Sequence, residues 1–296
     1  MPVALGVATL TFALIHLVPG DPVTAMLGDN ARPADVAAMR RQLGLDRPLI
    51  RQYASFLGGL AHGDMGESIS MHEPVARLIA ERYPATLELT GAAMAAAILI
   101  ALPLGLIAGA NPGGLGDIGA MGFAIAGISV PHIYLGPLLM IVFSLDLGWL
   151  PLTGRGGLAH LALPAITLGA ALAAIIARML RQSLIEVRAA DYMRTARGKG
   201  RGSFAALVRH GLRNALSPVI TIVGLEAGGL LTGAIIAETI FSWPGLGRLL
   251  IAAIGNRDYP LVEGCVLTFA LSYVAVNLAT DLLYVAVDPR VRLQSG

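Results

Sequence analysis

The stretch "TLELTGAAMAAAILIALPLGLIAG", residues Thr86 to Gly109, decides the fold class of this 296-residue chain. Its only ionisable side chain is Glu88, and the rest is apolar, small or hydroxyl-bearing apart from one proline. A hydrocarbon core about 30 Å thick requires about 20 mostly apolar residues per helix, so the stretch predicts a membrane-spanning helix. The whole chain agrees, since 55% of its residues are hydrophobic, 14% are charged and its mean hydropathy is +0.71. We predict an all-α, polytopic membrane protein.

Six apolar runs of this kind predict six membrane spans. The first run has neither a positively charged n-region nor an A-x-A cleavage site, so we predict a retained span rather than a signal peptide. The third run is long enough to tilt or to end in a partly interfacial turn. The six runs are Val3–Val18, Thr86–Gly109, Ile118–Leu145, Leu161–Ile176, Pro218–Ile240 and Leu261–Val287.

A basic connection joins the fourth and fifth spans and contains the stretch "RAADYMRTARGKGRGSF", residues Arg188 to Phe204. Connections rich in Lys and Arg stay in the cytoplasm, so this loop is predicted to be cytoplasmic. Counting the crossings from it places the N-terminus and the C-terminus on the same, cytoplasmic side. Residues 178–213 hold nine of the chain's 21 Lys and Arg side chains: Arg178, Arg181, Arg188, Arg194, Arg197, Lys199, Arg201, Arg209 and Arg213.

The spans divide the chain into three parts. Residues 1–19 are the first transmembrane helix, residues 20–84 are an external segment, and residues 85–296 are a core with five spans and a cytoplasmic loop at 186–213. The external segment has few apolar residues, so we expect short helices on the membrane surface rather than a large independent core. Within it, "RPADVAAMRRQLGL" (Arg32–Leu45) predicts a helix, because its apolar residues recur at near-helical spacing after a favourable start.

Composition and motifs exclude several classes of function. A formal net charge of +2 without a basic face does not predict nucleic-acid binding. "MHEPVA" has Ala76 where a zinc motif needs its second His, and "RGKGRGS" has Gly200 where a phosphate-binding loop needs Ser or Thr. The spans carry no paired nucleophile and base, so an intramembrane hydrolase is not supported either. We therefore predict no catalytic residue, metal site or cofactor site in this chain.

Ionisable groups inside membrane spans are costly and are functional hypotheses by default. Glu226 lies near the middle of the fifth span, where it either faces a water-filled path and contacts a cationic or amine-bearing solute, or locks two helices together by hydrogen bonding. Neighbouring glycines recur at a spacing of four, which permits close helix approach. Together with Glu226, Gly228 and Gly229 are the candidates for a translocation path. Glu88 and Asp281 lie nearer span ends, where interfacial solvation or a structural hydrogen bond is the expectation.

Eight short motifs occur in a fixed order along nearly the whole chain. Together they resemble the inner-membrane permease subunit of dipeptide, oligopeptide and nickel ABC importers. They are "LIHLVPGDP" (Leu14–Pro22), "QLGLDRPLIRQY" (Gln42–Tyr53), "GDMGES" (Gly63–Ser68), "DYMRTARGKG" (Asp191–Gly200), "LRNALSPVIT" (Leu212–Thr221), "ETIFSWPGLGRLL" (Glu238–Leu250), "RDYPLV" (Arg257–Val262) and "DPRVR" (Asp288–Arg292).

The resemblance implies a type I importer permease in the inner membrane, with residues 85–296 as the core permease domain. It also implies four kinds of partner: a second, similar permease, two cytoplasmic ATPase subunits, an external solute-binding protein and the lipid bilayer. ATP and Mg would bind to the ATPase subunits, so this chain would form the pore without being an enzyme. Members of the family usually begin with a basic stretch before the first span, whereas this sequence begins within it.

The resemblance further implies a coupling helix in the cytoplasmic loop that docks into a cleft of the ATPase. The family pattern has Glu where Arg194 stands here, and it has a proline, absent here, where Arg213 stands. We expect Tyr192, Met193 and Ala196 to form an apolar knob for the ATPase, while the cations stay solvated or pair with acids on it. The alternative is that the cations only anchor to anionic lipid. The candidate coupling residues are Asp191, Tyr192, Arg194, Thr195, Ala196, Arg197, Lys199 and Gly200.

Two questions stay open at the level of sequence. The solute implied by the resemblance is a short peptide, with nickel or a nickel complex as the alternative. The energy source implied by the resemblance is ATP, whereas a stand-alone secondary transporter driven by a proton through Glu226 is the rival hypothesis.

Overall fold

The computed structural model describes residues 2–17, 23, 32–42, 45–198 and 202–287. In these ranges the only β pairing is an isolated bridge between Glu67 and Pro74, so the all-α prediction is confirmed. A π-helical segment, Met140–Asp146, continues α6, and a second one, Leu207–Gly211, joins α9 to α10. The helices are α1 Pro2–Leu17, α2 Pro33–Gln42, α3 Leu49–Ala61, α4 Val75–Ala110, α5 Leu115–Ser129, α6 His132–Leu139, α7 Leu158–Ala189, α8 Asp191–Gly198, α9 Ser203–Ala206, α10 Leu212–Ile240, α11 Leu246–Gly255 and α12 Tyr259–Val287.

Four helical segments within the described residues are long and apolar enough to cross a membrane: α4, α7, Phe204–Ile240 and Tyr259–Thr280. Helix α5 and the segment His132–Asp146, which is α6 with its π-helical continuation, pass the same test together and are a candidate for a fifth crossing. The first predicted span coincides with α1, which has 16 residues, and Val18 lies outside the described residues. Several observed helices extend beyond the predicted apolar runs, because polar residues flank their apolar centres.

The third predicted span, Ile118–Leu145, is not one continuous helix. The chain bends by 106° between α5 and α6. Val130 adopts an extended conformation with φ −94° and ψ 111°, directly before Pro131. Proline has no N–H to donate and disfavours the helical conformation in the residue before it, which accounts for the break. This region is therefore a broken span or a re-entrant loop.

One compact unit comprises residues 1–86 and 244–274. In it α1 packs against α3, where the rings of Phe12 and Tyr53 lie 5.3 Å apart between centroids. The Thr86 hydroxyl accepts a hydrogen bond of 2.8 Å from the Leu246 N–H, which ties α4 to the start of α11. Helix α2 confirms the helix predicted within residues 32–45.

The second unit comprises residues 87–243 and 275–296. Helix α7 is its central element and packs against α5 and α10. The buried side chains of α7 recur about every fourth residue, as expected for a helix that presents one apolar face to its neighbours. They include Leu168, Leu172, Ile176, Leu180 and Leu184. The face of α7 therefore determines where the adjacent helices lie in this unit.

Candidate functional site

The segment predicted to contain the coupling helix forms the helix α8, which follows α7 after one extended residue. Ala190 has φ −68° and ψ 146°, so it breaks the helix and turns the chain. Helix α8 ends at Gly198, the first of the three glycines in this stretch. Lys199 and Gly200 lie outside the described residues, and so does the side chain of Arg197.

Most described side chains of α8 are exposed. Arg194 Nη1 lies 3.7 Å from Asp191 Oδ1, and both side chains remain largely accessible to solvent, so this ion pair adds little stability. The Thr195 hydroxyl donates to the Asp191 carbonyl at 3.2 Å. Tyr192 is 42% exposed, and its hydroxyl accepts a hydrogen bond from Asn214 Nδ2 at 2.9 Å. Ala196 is half-buried. The structure therefore presents a polar, exposed helix face.

Met193 corrects the prediction of an apolar knob on α8. We expected Tyr192, Met193 and Ala196 to insert together into a partner, but Met193 is only 1% exposed within this chain. Helix α8 packs back against the end of α7 and the π-helical segment Leu207–Gly211, so its apolar face is already covered. Leu207, in that segment, is equally buried. Tyr192 is the large side chain of this group that remains accessible.

A buried ion pair lies close to the last turns of α7, and sequence reasoning missed it. Arg181 Nε donates to Asp117 Oδ1 at 2.5 Å, and its Nη2 donates to Oδ2 at 2.7 Å. The Asp117 side chain is 5% exposed and that of Arg181 is 28% exposed. Asp117 Oδ2 also accepts a bond of 2.8 Å from the Gly113 N–H. The pair thus joins the first turn of α5 to α7.

Two further contacts fix the end of α4 to the same face of α7. Arg188 Nη1 donates to the carbonyls of Gly109 and Ala110, the last two residues of α4. A cation at a helix C-terminus satisfies carbonyls that have no partner within the helix. A Cβ added at Gly105 would lie 2.8 Å from the Cβ of Leu180, so only glycine permits this close approach. The ends of α4, α5 and α7 are therefore held together.

The sequence did contain a signal for this cluster. Asp117 is the only acid between the second and third predicted spans, and Arg181 and Arg188 lie at i and i+7 of one helix. Seven residues are about two helical turns, so both cations project from one face. From the sequence alone both arginines are only contributors to a positive loop, because the sequence does not show which acid lies opposite them.

The candidate path residues occupy different sides of α10. Glu226 is half-buried, and no hydrogen bond or ion pair reaches its carboxylate from the described part of the chain. Gly229 is exposed one turn further on, where an added Cβ would lie 3.8 Å from Glu226 Oε2. Gly228 is buried. The structure brings Glu226 and Gly229 together and places Gly228 on the packed side of the helix.

Glu88, expected to be solvated or hydrogen-bonded, forms an ion pair with Arg155. Arg155 Nε and Nη2 donate to Glu88 Oε2 at 2.9 and 2.5 Å, and the two side chains are 42% and 38% exposed. The guanidinium carbon lies 5.9 Å from the ring centroid of Trp243, which is fully buried. The pair therefore connects α4 to the loop before α7.

In the other compact unit, Asp258 joins two of the motifs quoted above. It is fully buried and accepts hydrogen bonds from the hydroxyls of Ser68 at 2.6 Å and Ser70 at 2.7 Å, and from the Ser70 N–H at 3.0 Å. Burial on its own would raise the pKa of Asp258, but these hydrogen bonds outweigh it and hold the pKa below its ordinary value. The arrangement closes the loop before α4 onto the loop before α12.

Comparisons with known proteins agree with this architecture. The family described as "Binding-protein-dependent transport system inner membrane component" matches residues 101–293, and its N-terminal counterpart matches residues 2–90. The glutathione transport system permease protein GsiC of Salmonella choleraesuis is 44% identical over 292 residues, covering 99% of this chain and 95% of that protein. Its counterpart in Escherichia coli K12 is 42% identical with the same coverage.

Solved structures support the same fold. The chain resembles the inward-facing MetNI methionine ABC transporter with a TM-score of 0.61 and 20% identity, covering 74% of this chain and 100% of that one. An amino acid ABC transporter gives a TM-score of 0.55 and 16% identity, covering 70% of this chain and 93% of that one. The predicted type I importer permease fold is confirmed. The chain therefore belongs to the inner-membrane permease family of binding-protein-dependent ABC importers, as a pore-forming subunit whose ATPase partners are separate chains.

Proposed function

We propose that this chain forms, together with a second, similar permease, the translocation path of an ATP-driven importer for short peptides. The observation that carries the proposal is the match to proteins named glutathione transport system permeases over 99% of the chain. Glutathione is a tripeptide, so a relative at this level of identity favours a peptide-like solute. Membership of the ABC permease family argues against the rival hypothesis of a stand-alone, proton-driven transporter, because in this family separate ATPase subunits supply the energy for transport.

The proposed topology places α8 and both chain termini in the cytoplasm. The density of cations around α8 supports this orientation by the positive-inside rule. Residues 1–19 then form the first span, 20–84 an external segment, and 85–296 the core permease domain. In this arrangement the external solute-binding protein delivers solute on the side opposite α8.

The proposed docking surface for the ATPase is α8 with the residues directly after it. Its exposed hydroxyl, cationic and acidic groups suit a polar interface with one aromatic anchor, Tyr192. The bond between Tyr192 and Asn214 fixes the orientation of that ring. The residues assigned to docking are Asp191, Tyr192, Arg194, Thr195, Ala196, Arg197, Lys199 and Gly200.

The proposed translocation path runs beside Glu226 and Gly229. A carboxylate without a partner in the described chain is unfavourable against lipid, so it belongs next to water or to the second permease. Gly229 leaves space beside the carboxylate for a passing solute. Gly228, which is buried, contributes to the path only by keeping α10 close to its neighbours.

The mechanism that follows is alternating access. ATP binding closes the two ATPases and moves their docked α8 helices together, which rocks the spans so that the shared pore opens first outward and then inward. This chain positions the docking helix α8 and lines the translocation path, whereas the ATPase chains hydrolyse ATP.

The test is transport by the complete importer, with both permeases, both ATPases and the binding protein, reconstituted into vesicles. Labelled glutathione, a dipeptide and nickel chloride are offered separately, each with and without ATP. ATP-dependent uptake of glutathione or the dipeptide supports the proposal, whereas uptake of nickel alone overturns the peptide assignment. Among the described residues no group of three or more His, Cys, Asp or Glu side chains could hold a metal ion, so no observation favours nickel as a second candidate.

A further inference from the structure

We propose that Arg181, held by Asp117, is a positioning residue that transmits the movement of α8 to α4 and α5. The inference rests on the proposed function, since it presumes that α8 receives the ATPase. It assigns a role in coupling to a buried ion pair that lies outside the coupling helix itself.

The first step of the argument is the continuity of α7 with α8. Only Ala190 separates the two helices, and α8 packs back against α7. Arg181 lies eight residues before the end of α7, a distance of about 12 Å along the helix axis. A displacement of α8 therefore reaches Arg181 through a short, rigid stretch of helix.

The second step is the set of contacts on this stretch of α7. Arg181 binds the first turn of α5 through two hydrogen bonds to Asp117, and Arg188 donates to the carbonyls at the end of α4. Leu180 packs against Gly105 at a distance that leaves no room for a larger residue there. Two other helices are thus attached to the stretch of α7 that α8 would move.

The third step is the directionality of the Arg181 bond. Apolar contacts such as that of Leu180 resist compression but permit sliding, whereas a bidentate guanidinium–carboxylate pair fixes both distance and orientation. Asp117 is itself fixed by the Gly113 N–H in the turn that joins α4 to α5. The pair therefore converts a shift of α7 into a movement of the α4–α5 connection.

The experiment compares uptake per ATP hydrolysed in the complete reconstituted importer. Arg181→Gln is expected to lower this ratio by about tenfold while the ATPases still co-purify. Arg181→Lys, which keeps the charge but loses the bidentate geometry, is expected to recover part of the ratio. Arg181→Gln alone leaves a buried carboxylate without its cation, which could prevent folding. The double variant Asp117→Asn with Arg181→Gln removes both charges, so the protein can still fold without the ion pair.

The matched control is Arg155→Gln, which breaks the exposed pair of the same unit and should leave the ratio unchanged. A double variant with the wild-type ratio would overturn the inference. So would a proportional loss of ATPase activity and uptake in Arg181→Gln, since a purely structural role predicts fewer working complexes with normal coupling. Absence of ATP-dependent uptake in the wild type would instead overturn the proposed function, and the inference with it.

Discussion

Two arginine–carboxylate pairs in the same compact unit have nearly the same chemistry and very different surroundings. In both, the guanidinium uses Nε and Nη2 to bind a carboxylate, with a shortest distance of 2.5 Å. The Asp117–Arg181 pair joins two helices and is largely buried. The Glu88–Arg155 pair joins a helix to a loop, and about two fifths of each side chain is exposed.

Burial decides what each pair can contribute. An exposed pair exchanges hydration for a screened attraction of similar size, so its net contribution is small. A buried pair is also close to neutral when compared with apolar packing, but the loss of one partner leaves a buried charge without its counter-ion. The Glu88–Arg155 pair therefore adds little to stability, whereas the Asp117–Arg181 pair constrains the arrangement of its helices.

The largest effect is expected from Arg181→Ala, which leaves Asp117 buried without its cation. We expect a loss of about 3 kcal/mol in the free energy of unfolding, the lower end of the range for a broken buried pair, because Arg181 retains some exposure. Chemical unfolding of the purified protein in detergent measures this loss. A change below about 1 kcal/mol, the range of exposed pairs, would remove the distinction between the two sites.

Asp258→Asn separates the effect of burial from the effect of an arginine partner, since Asp258 is buried and held by serines. Asparagine keeps the shape, and its carbonyl can take the place of Oδ2 and accept from Ser68 and Ser70. Its NH2 group then replaces Oδ1 and cannot accept from the Leu261 N–H, which lies 3.3 Å from that oxygen in the wild type. The expected loss is about 2 kcal/mol. Ser70→Ala, which leaves the bonds from Ser68 and the Ser70 N–H in place, is the milder control. An Asp258→Asn protein as stable as the wild type would show that the charge of the carboxylate and its bond from Leu261 are dispensable.

Acidification tests the same carboxylate without a substitution. Because the pKa of Asp258 is lower in the folded state than in the unfolded chain, the ionised form contributes stability above the unfolded pKa of about 4. That contribution is lost as the pH falls through the folded-state pKa. The difference in unfolding free energy between wild type and Asp258→Asn should therefore shrink below about pH 4. A difference that stays constant across this range would contradict the assignment.

Gly105→Ala probes the packing that surrounds the buried pair. The new methyl group would lie 2.8 Å from the Cβ of Leu180, and overpacking of this kind costs about 2 kcal/mol. Alanine recovers about 1 kcal/mol of helix propensity, so the expected net loss is near 1 kcal/mol. Gly91→Ala, in the same helix with nothing within 4 Å of the added atom, should instead stabilise the protein. Equal effects at the two positions would show that α4 and α7 are not in close contact at Gly105.

The sequence was sufficient for features that depend on composition and local chemistry. The apolar run of α4 predicts a membrane helix, since a bilayer requires that length and hydropathy. A short helix was predicted within the cytoplasmic loop at 186–213, and the structure has α8, Asp191–Gly198, in that loop. The same local chemistry could have predicted the break before Pro131, which we missed by following hydropathy alone.

Features that depend on contacts distant in sequence were beyond such reasoning. Asp117 and Arg181 are 64 residues apart, and neither local sequence indicates that the other residue is its partner. Met193 is apolar on a mostly polar helix, and an apolar side chain there can contact either an external partner or the chain's own core. Its burial became evident only from the packing of α8 against α7. Whether α8 binds an ATPase, and whether Glu226 faces solute, stay predictions.

The smallest effect is expected from Arg155→Gln in the exposed pair. The loss should stay below about 1 kcal/mol, because water hydrates Glu88 as soon as the arginine is removed. Salt sharpens the contrast, since the screening length falls from about 10 Å at 0.1 M to about 3 Å at 1 M. At high salt the stabilities of Arg155→Gln and the wild type should converge, whereas the deficit of Arg181→Ala should persist because its cause is a desolvated charge. Convergence of both variants with the wild type would mean that salt reaches Asp117 as readily as it reaches Glu88, and the two pairs would then have to be treated as one kind.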